Sequence, residues 1–137
     1  MLPFLVDMAK LYERFVAEWL KLHLPSDYSL TAQERIDIGR DKNISFNVDI
    51  VLYHKPTGMA TYVLDTKYKR KINTNDMQQA IAYAVSKHCQ QAILVDPEPL
   101  SHSIDEAIGN IRIRSLTFSL NSNLEEAGQA FLTTLIM

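Results

Sequence analysis

At 137 residues the chain is sized for one domain with an ordinary core, and its formal net charge of −2 excludes the global positive field of a protein that coats nucleic acid. Hydrophobic residues make up 47% and charged ones 22%, which excludes a disordered tail. A single cysteine, Cys89, excludes an internal disulfide and a multi-cysteine zinc site, so a cytoplasmic location is the simplest expectation. The apolar stretch Leu2-Pro3-Phe4-Leu5-Val6 is too short for a signal core, and no run reaches membrane-span length, so no membrane partner is expected.

In chain order, residues 3–24 are predicted as one amphipathic helix. Leu5, Met8, Tyr12, Phe15, Trp19, Leu22 and His23 form its stripe, and Pro25 stops it. Glu13 lies on the flank of the stripe, where it can point along a sheet; a solvated glutamate paired with a lysine is the plainer alternative. Residues 31–40 alternate as a first strand and 41–43 form a turn. Phe46 to Tyr53 and Tyr62 to Lys69 are β-branched and aromatic runs that read as strands two and three.

The turn between these strands, His54-Lys55-Pro56-Thr57-Gly58-Met59, has the chemistry of a three-residue loop, with Gly58 in the left-handed conformation. With Lys55 facing Met59, the register places Asp49 opposite Asp65, and Lys67 follows on the same face. Phe46, Val48, Ile50 and Leu52 then share an apolar face with Tyr62 and Leu64. Asn47 and Asp49 share the other with Asp65 and Lys67, so the sheet is expected to be covered on one side and polar on the other.

A second helix is predicted from Asn73-Thr74-Asn75-Asp76 to about Lys87, with Asn75 and Gln78 as a capping pair. Met77, Ala80, Ile81, Ala84 and Val85 face the core, and Gln79 and Tyr83 project from the opposite side. Ala92 to Val95 is a strand buried on both faces, residues 97–109 a loop with a helical turn, and 111–118 a last strand. A closing helix covers 123–133, with Leu124, Ala127, Phe131 and Leu132 inward. The expected fold class is α/β, a single domain over 1–137 with helices flanking a mixed sheet.

Two carboxylates held face to face repel each other unless a cation sits between them. A divalent metal in that position would make the chain a metal-dependent nuclease, whereas the alternative is the charged outer face of an edge strand. Lys67, Lys69, Arg70 and Lys71 supply the local positive charge that DNA binding would need. His23, His54, His88 and His102 are scattered without ligand spacing, the four glycines form no phosphate-cradling loop, and no serine sits in a nucleophile elbow.

Asp49, Asp65-Thr66-Lys67, and Gln79 with Tyr83 resemble the PD-(D/E)xK nuclease superfamily and its Q-xxx-Y motif. Within it, Asp7 to Val16, Asp49 to Tyr53, Leu64 to Lys69 and Gln79 to Ala84 resemble the nuclease domain of McrC-type subunits of modified-cytosine restriction systems. The resemblance implies a restriction-endonuclease-like αβββαβ core and Mg²⁺-dependent hydrolysis of DNA, with Mn²⁺ able to substitute. Asp49, Asp65 and the Thr66 carbonyl would hold the metal. Lys67 would orient or deprotonate the attacking water, and Glu13 would help organise metal or water. Gln79 would contact the scissile region, and Tyr83 the phosphate backbone or the packing around it. Val48 stands where the superfamily motif has its proline.

McrC-like proteins also carry an N-terminal domain that engages a GTP-hydrolysing AAA+ ring, whereas this chain begins where the nuclease domain begins. A truncated piece, a free-standing nuclease and a degenerate remnant are the alternatives. Double-strand cutting would need two active sites, hence a homodimer, which no single residue supports. The rival function is a catalytically silent nucleic-acid-binding or assembly domain that keeps the fold.

Overall fold

A computed structural model describes residues 7–41, 44–68, 72–100, 102–121 and 123–137. The order is α1 (Met8–His23), β1 (Tyr28–Ile38), β2 (Ile44–His54), β3 (Met59–Thr66), α2 (Thr74–Ser86), β4 (Gln91–Asp96), β5 (Asp105–Ile108), β6 (Ile111–Thr117) and α3 (Leu124–Ile136). Six strands form one mixed sheet in the order β1-β2-β3-β4-β6-β5. β1, β2 and β3 are antiparallel neighbours, β4 lies parallel to both β3 and β6, and β5 returns antiparallel to β6. This is the α/β class expected, with a restriction-endonuclease-like arrangement. Among the described residues no helix is long and apolar enough to cross a membrane.

α1 begins at Met8 rather than at residue 3, because Asp7 is extended and its side chain caps the helix by accepting from Lys10 N at 3.1 Å. Its buried face is Tyr12, Val16, Ala17, Trp19 and Leu20, whereas Met8 and Leu22 of the predicted stripe are exposed. Met8, Phe15 and Leu22 recur every seven residues, a repeat that drifts by roughly 20° per heptad around a straight helix. Leu5 lies outside the described residues.

The β2–β3 hairpin keeps the expected register where it matters. Ile50 pairs with Leu64, Val51 with Val63 and Leu52 with Tyr62. At the turn the pairing is one residue off, with Tyr53 on Ala60 and His54 on Met59, and a bulge between Leu52 and Tyr53 absorbs the difference. The loop is thus the four residues 55–58 closed by Gly58 (φ 69), and Lys55 does not face Met59.

Both faces of the sheet are covered, contrary to the expectation of one polar side. Ile50, Leu52, Tyr62, Leu64, Ile93 and Val95 pack under α1 and α3, while Val51, Val63, Ala92, Leu94 and Ile113 pack under α2. Phe46 and Val48 join the α2 side and Ile50 joins the other, so the alternation predicted along β2 breaks at Asp49. The β1–β2 ladder skips that position, where Gln33 takes a left-handed conformation (φ 54) that a regular strand does not accommodate.

Three boundaries differ for local reasons. α2 is capped by Asn73 and Asp76 instead of Asn75 and Gln78: Asp76 N donates to Asn73 Oδ1 and Asn73 N to Asp76 Oδ2, each at 2.9 Å. Part of the predicted loop 97–109 is strand β5, whose four exposed residues carry no hydrophobic alternation to announce it. α3 runs on to Ile136 because buried Arg114 donates to the carbonyls of Thr134 (3.0 Å) and Leu135 (2.9 Å) and satisfies its last turn. Gly128 lets α3 lie directly against Trp19: a Cβ there would meet the indole at 2.2 Å.

Candidate active site

The antiparallel ladder ends at Ile50–Leu64, and the next residues on the two strands are Asp49 and Asp65. The register therefore brings them side by side, close enough for Asp49 to raise the Asp65 carboxyl. Thr66, last in β3, turns both its N–H (2.9 Å) and its hydroxyl (3.1 Å) onto Asp49 Oδ2. One oxygen of Asp49 is thereby fixed.

Asp65 is 3% exposed, and its Oδ2 has no hydrogen-bond partner among the described residues. The Lys67 ammonium lies 3.3 Å from that oxygen, supplying charge without a well-directed hydrogen bond. Burial first, and the neighbouring Asp49 second, push the Asp65 carboxyl up to about 7, with Lys67 opposing. Glu13, half-buried on α1, is likewise pushed up to about 7 by burial and by Asp49. An α1 carboxylate predicted from sequence alone is thus electrostatically coupled to the pair.

Lys67 leaves the strand edge with its N–H donating to Val95 O at 2.7 Å. Its ammonium donates to Gln79 Oε1 at 3.2 Å and lies 3.6 Å from Asp76 Oδ1. Gln79 is therefore at the site, as expected. Tyr83 is not on the opposite side of α2: it is buried, its ring 4.9 Å from that of Phe46. Burial, then Asp65 and Asp49, push its hydroxyl up, so it lies within electrostatic reach of the acidic pair. Lys69, Arg70 and Lys71 lie outside the described residues.

Two buried acids escaped the sequence reading. Asp76 carried a usable signal, because Asn73-x-x-Asp76 has capping-box spacing. Asp96, at the end of β4, had none. It accepts from Thr117 Oγ1 at 2.7 Å, its other oxygen has no partner among the described residues, and burial pushes it up to about 6.

Among the described residues no three His, Cys, Asp or Glu side chains are gathered closely enough to enclose a metal. Two carboxylates, a nearby carbonyl and waters nonetheless match what Mg²⁺ prefers, since it keeps several waters and takes few protein ligands. The buried Asp65 oxygen without a hydrogen-bond partner among the described residues, and the repulsion that raises its carboxyl, fit a hard divalent cation.

A family model described as a McrBC 5-methylcytosine restriction system component matches residues 1–97. No curated protein matches the chain.

Proposed function

The chain belongs to the McrBC 5-methylcytosine restriction system component family, and from that premise we propose that it is a metal-dependent DNA endonuclease of the PD-(D/E)xK type. One observation carries the reading: Asp49 and Asp65 meet at the mouth of the β2–β3 hairpin with Lys67 3.3 Å from the buried Asp65 oxygen. Such a pair destabilises the protein on its own and is useful only if a cation binds it.

In this reading Asp49 and Asp65 hold Mg²⁺ or Mn²⁺ with the Thr66 carbonyl. The bound metal would lower the pKa of a water and offset charge on the phosphate. Thr66 holds Asp49 in one orientation. Lys67 places its ammonium where charge develops on a scissile phosphate, and Gln79 keeps it there. Glu13, ionising near neutrality, accepts a proton from, or orients, a water on the α1 side. Tyr83 lies within electrostatic reach of the acidic pair. DNA, and a GTP-hydrolysing restriction subunit, are the proposed partners; a cytoplasmic location follows from that role.

The rival reading is a silent assembly domain that keeps the fold. Isothermal titration with Mg²⁺ and Mn²⁺, paired with cleavage of plain and cytosine-methylated duplexes with and without the GTPase partner, separates the two. The nuclease reading expects saturable metal binding that disappears in Asp49→Asn, together with cleavage. Heat flat at millimolar metal and intact DNA in every condition would establish the silent domain.

A further inference from the structure

We propose that Asp76 is a positioning residue whose two oxygens do separate jobs: one closes the first turn of α2 and the other holds the Lys67 ammonium beside the acidic pair. This deepens the nuclease reading and rests on it. Asp76 is 7% exposed. Its Oδ2 accepts from Asn73 N at 2.9 Å, and its Oδ1 lies 3.6 Å from Lys67 Nζ. Gln79 stands three residues on, hence on the same side of the helix, and accepts from the same ammonium at 3.2 Å.

Lys67 thus faces three oxygens from two elements: Asp65 Oδ2 on its own strand, and Asp76 Oδ1 and Gln79 Oε1 on α2. An ammonium has three hydrogens and no preferred plane, so its place is set by the acceptors around it. Were Asp76 neutral, the ammonium would settle on Asp65, occupying the oxygen a metal needs and leaving the phosphate side. The negative charge of Asp76 pulls against that contact and holds the ammonium between the two carboxylates, 3.3 Å from Asp65 Oδ2 and 3.6 Å from Asp76 Oδ1. The capping bond fixes Asp76 itself, so the start of α2 is rigidly tied to the reacting end of β3.

Asp76→Asn keeps a capping oxygen but not the charge. Asn73→Ala weakens the cap through its lost side-chain acceptor, yet leaves the Asn73 N–H and the Asp76 carboxylate in place. The expected result is a fall in kcat of roughly 10- to 100-fold in Asp76→Asn with KM for DNA little changed, the scale of loss when a reacting group is misplaced by about 1 Å. Asn73→Ala should lower Tm and keep kcat within about twofold of the parent, and Asp76→Glu should restore part of the activity.

Equal loss of kcat in Asp76→Asn and Asn73→Ala would overturn the proposal and leave Asp76 a helix cap. A second measurement is independent of cleavage: the acetylation rate of Lys67, read by mass spectrometry in the metal-free protein. It should differ several-fold from the parent's in Asp76→Asn, where the ammonium has moved, and stay near the parent's in Asn73→Ala. If no variant cuts DNA but this contrast appears, the nuclease reading has failed while the Asp76 tether stands. If the contrast is absent, the tether has failed whatever the enzyme does.

Discussion

Replacing Asp65 with Asn tests the acidic pair without changing its shape. In the metal-free protein the Asp65 carboxyl is raised from 3.8 to about 7, chiefly by burial and then by Asp49. A raised folded-state pKa means that the native protein binds more protons than the unfolded chain, so the associated stability is present below about pH 4 and is lost as pH rises through about 7. Three units correspond to about 4 kcal/mol at alkaline pH, which is a ceiling. Asp49 and Asp65 share the repulsion, and part of it survives as the cost of burying Asp49 beside an amide. A gain of roughly 1–3 kcal/mol for Asp65→Asn at pH 8 is therefore expected, about 5–10 °C in Tm for a domain of this size. The assay is thermal and urea denaturation of both proteins in EDTA at pH 4 and pH 8. The gain should largely vanish at pH 4, where the native carboxyl is protonated and the unfolded one about half so. Saturating Mg²⁺ should then stabilise the parent but not the variant, by about 2.7 kcal/mol at a hundred times Kd. An equal or lower Tm for the variant at pH 8, or a gain independent of pH, would refute the paired-carboxylate argument.

Lys67→Ala should abolish cleavage while metal affinity, read by titration calorimetry, is kept or increased. The apo protein should lose on the order of 1–3 kcal/mol in urea, because the buried Asp65 carboxylate loses the ammonium beside it. Asp96→Asn should stabilise the protein above pH 6, with a ceiling of about 3 kcal/mol from a carboxyl raised from 3.8 to about 6, and should lose that advantage near pH 4. Parallel stability–pH curves for the parent and Asp96→Asn would contradict it. Gly128→Ala should destabilise by about 1–3 kcal/mol, despite a helix-propensity gain of up to about 1 kcal/mol, because its Cβ would meet Trp19 at 2.2 Å. An unchanged Tm would mean that α3 slides off the indole at no cost.

What could be read from the chain, and what could not, divides by the range of the contact. Asp49 and Asp65 were legible because a hairpin is a local object: turn residues and alternation set the register, and the bulge at Leu52/Tyr53 repaired the one-residue error made at the loop. Glu13, Gln79 and Lys67 could be placed by resemblance. The α2 side of the site was misread because helical periodicity gives relative angles only. Nothing in Gln79-Ala80-Ile81-Ala82-Tyr83 says which arc meets the sheet, and the answer depended on Val51, Val63 and Leu94 being apolar on the face assigned to solvent. The parity break at Asp49 was equally silent, since it follows from the left-handed Gln33 on a different strand. Asp96 shows the limit most plainly: its environment is assembled from Thr117 on β6 and Tyr12 on α1, so no local pattern could announce a buried carboxyl there.

Coverage of the second face also changes what the acidic pair means physically. On an open, wetted face two opposed aspartates would be screened by water and cost little, and the edge-strand reading would suffice. With α2 laid over that face, Asp65 sits where ionisation is costly, its carboxyl raised by burial first and by Asp49 second. A fold that needed only a polar edge would have no reason to bury this group. The helix that hides the pair from water also delivers Asp76 and Gln79 to Lys67. The penalty on the metal-free protein and the placement of the ammonium thus have one structural cause. For that reason Asp65→Asn in EDTA and Asp76→Asn during cleavage report on the same packing of α2 from opposite sides.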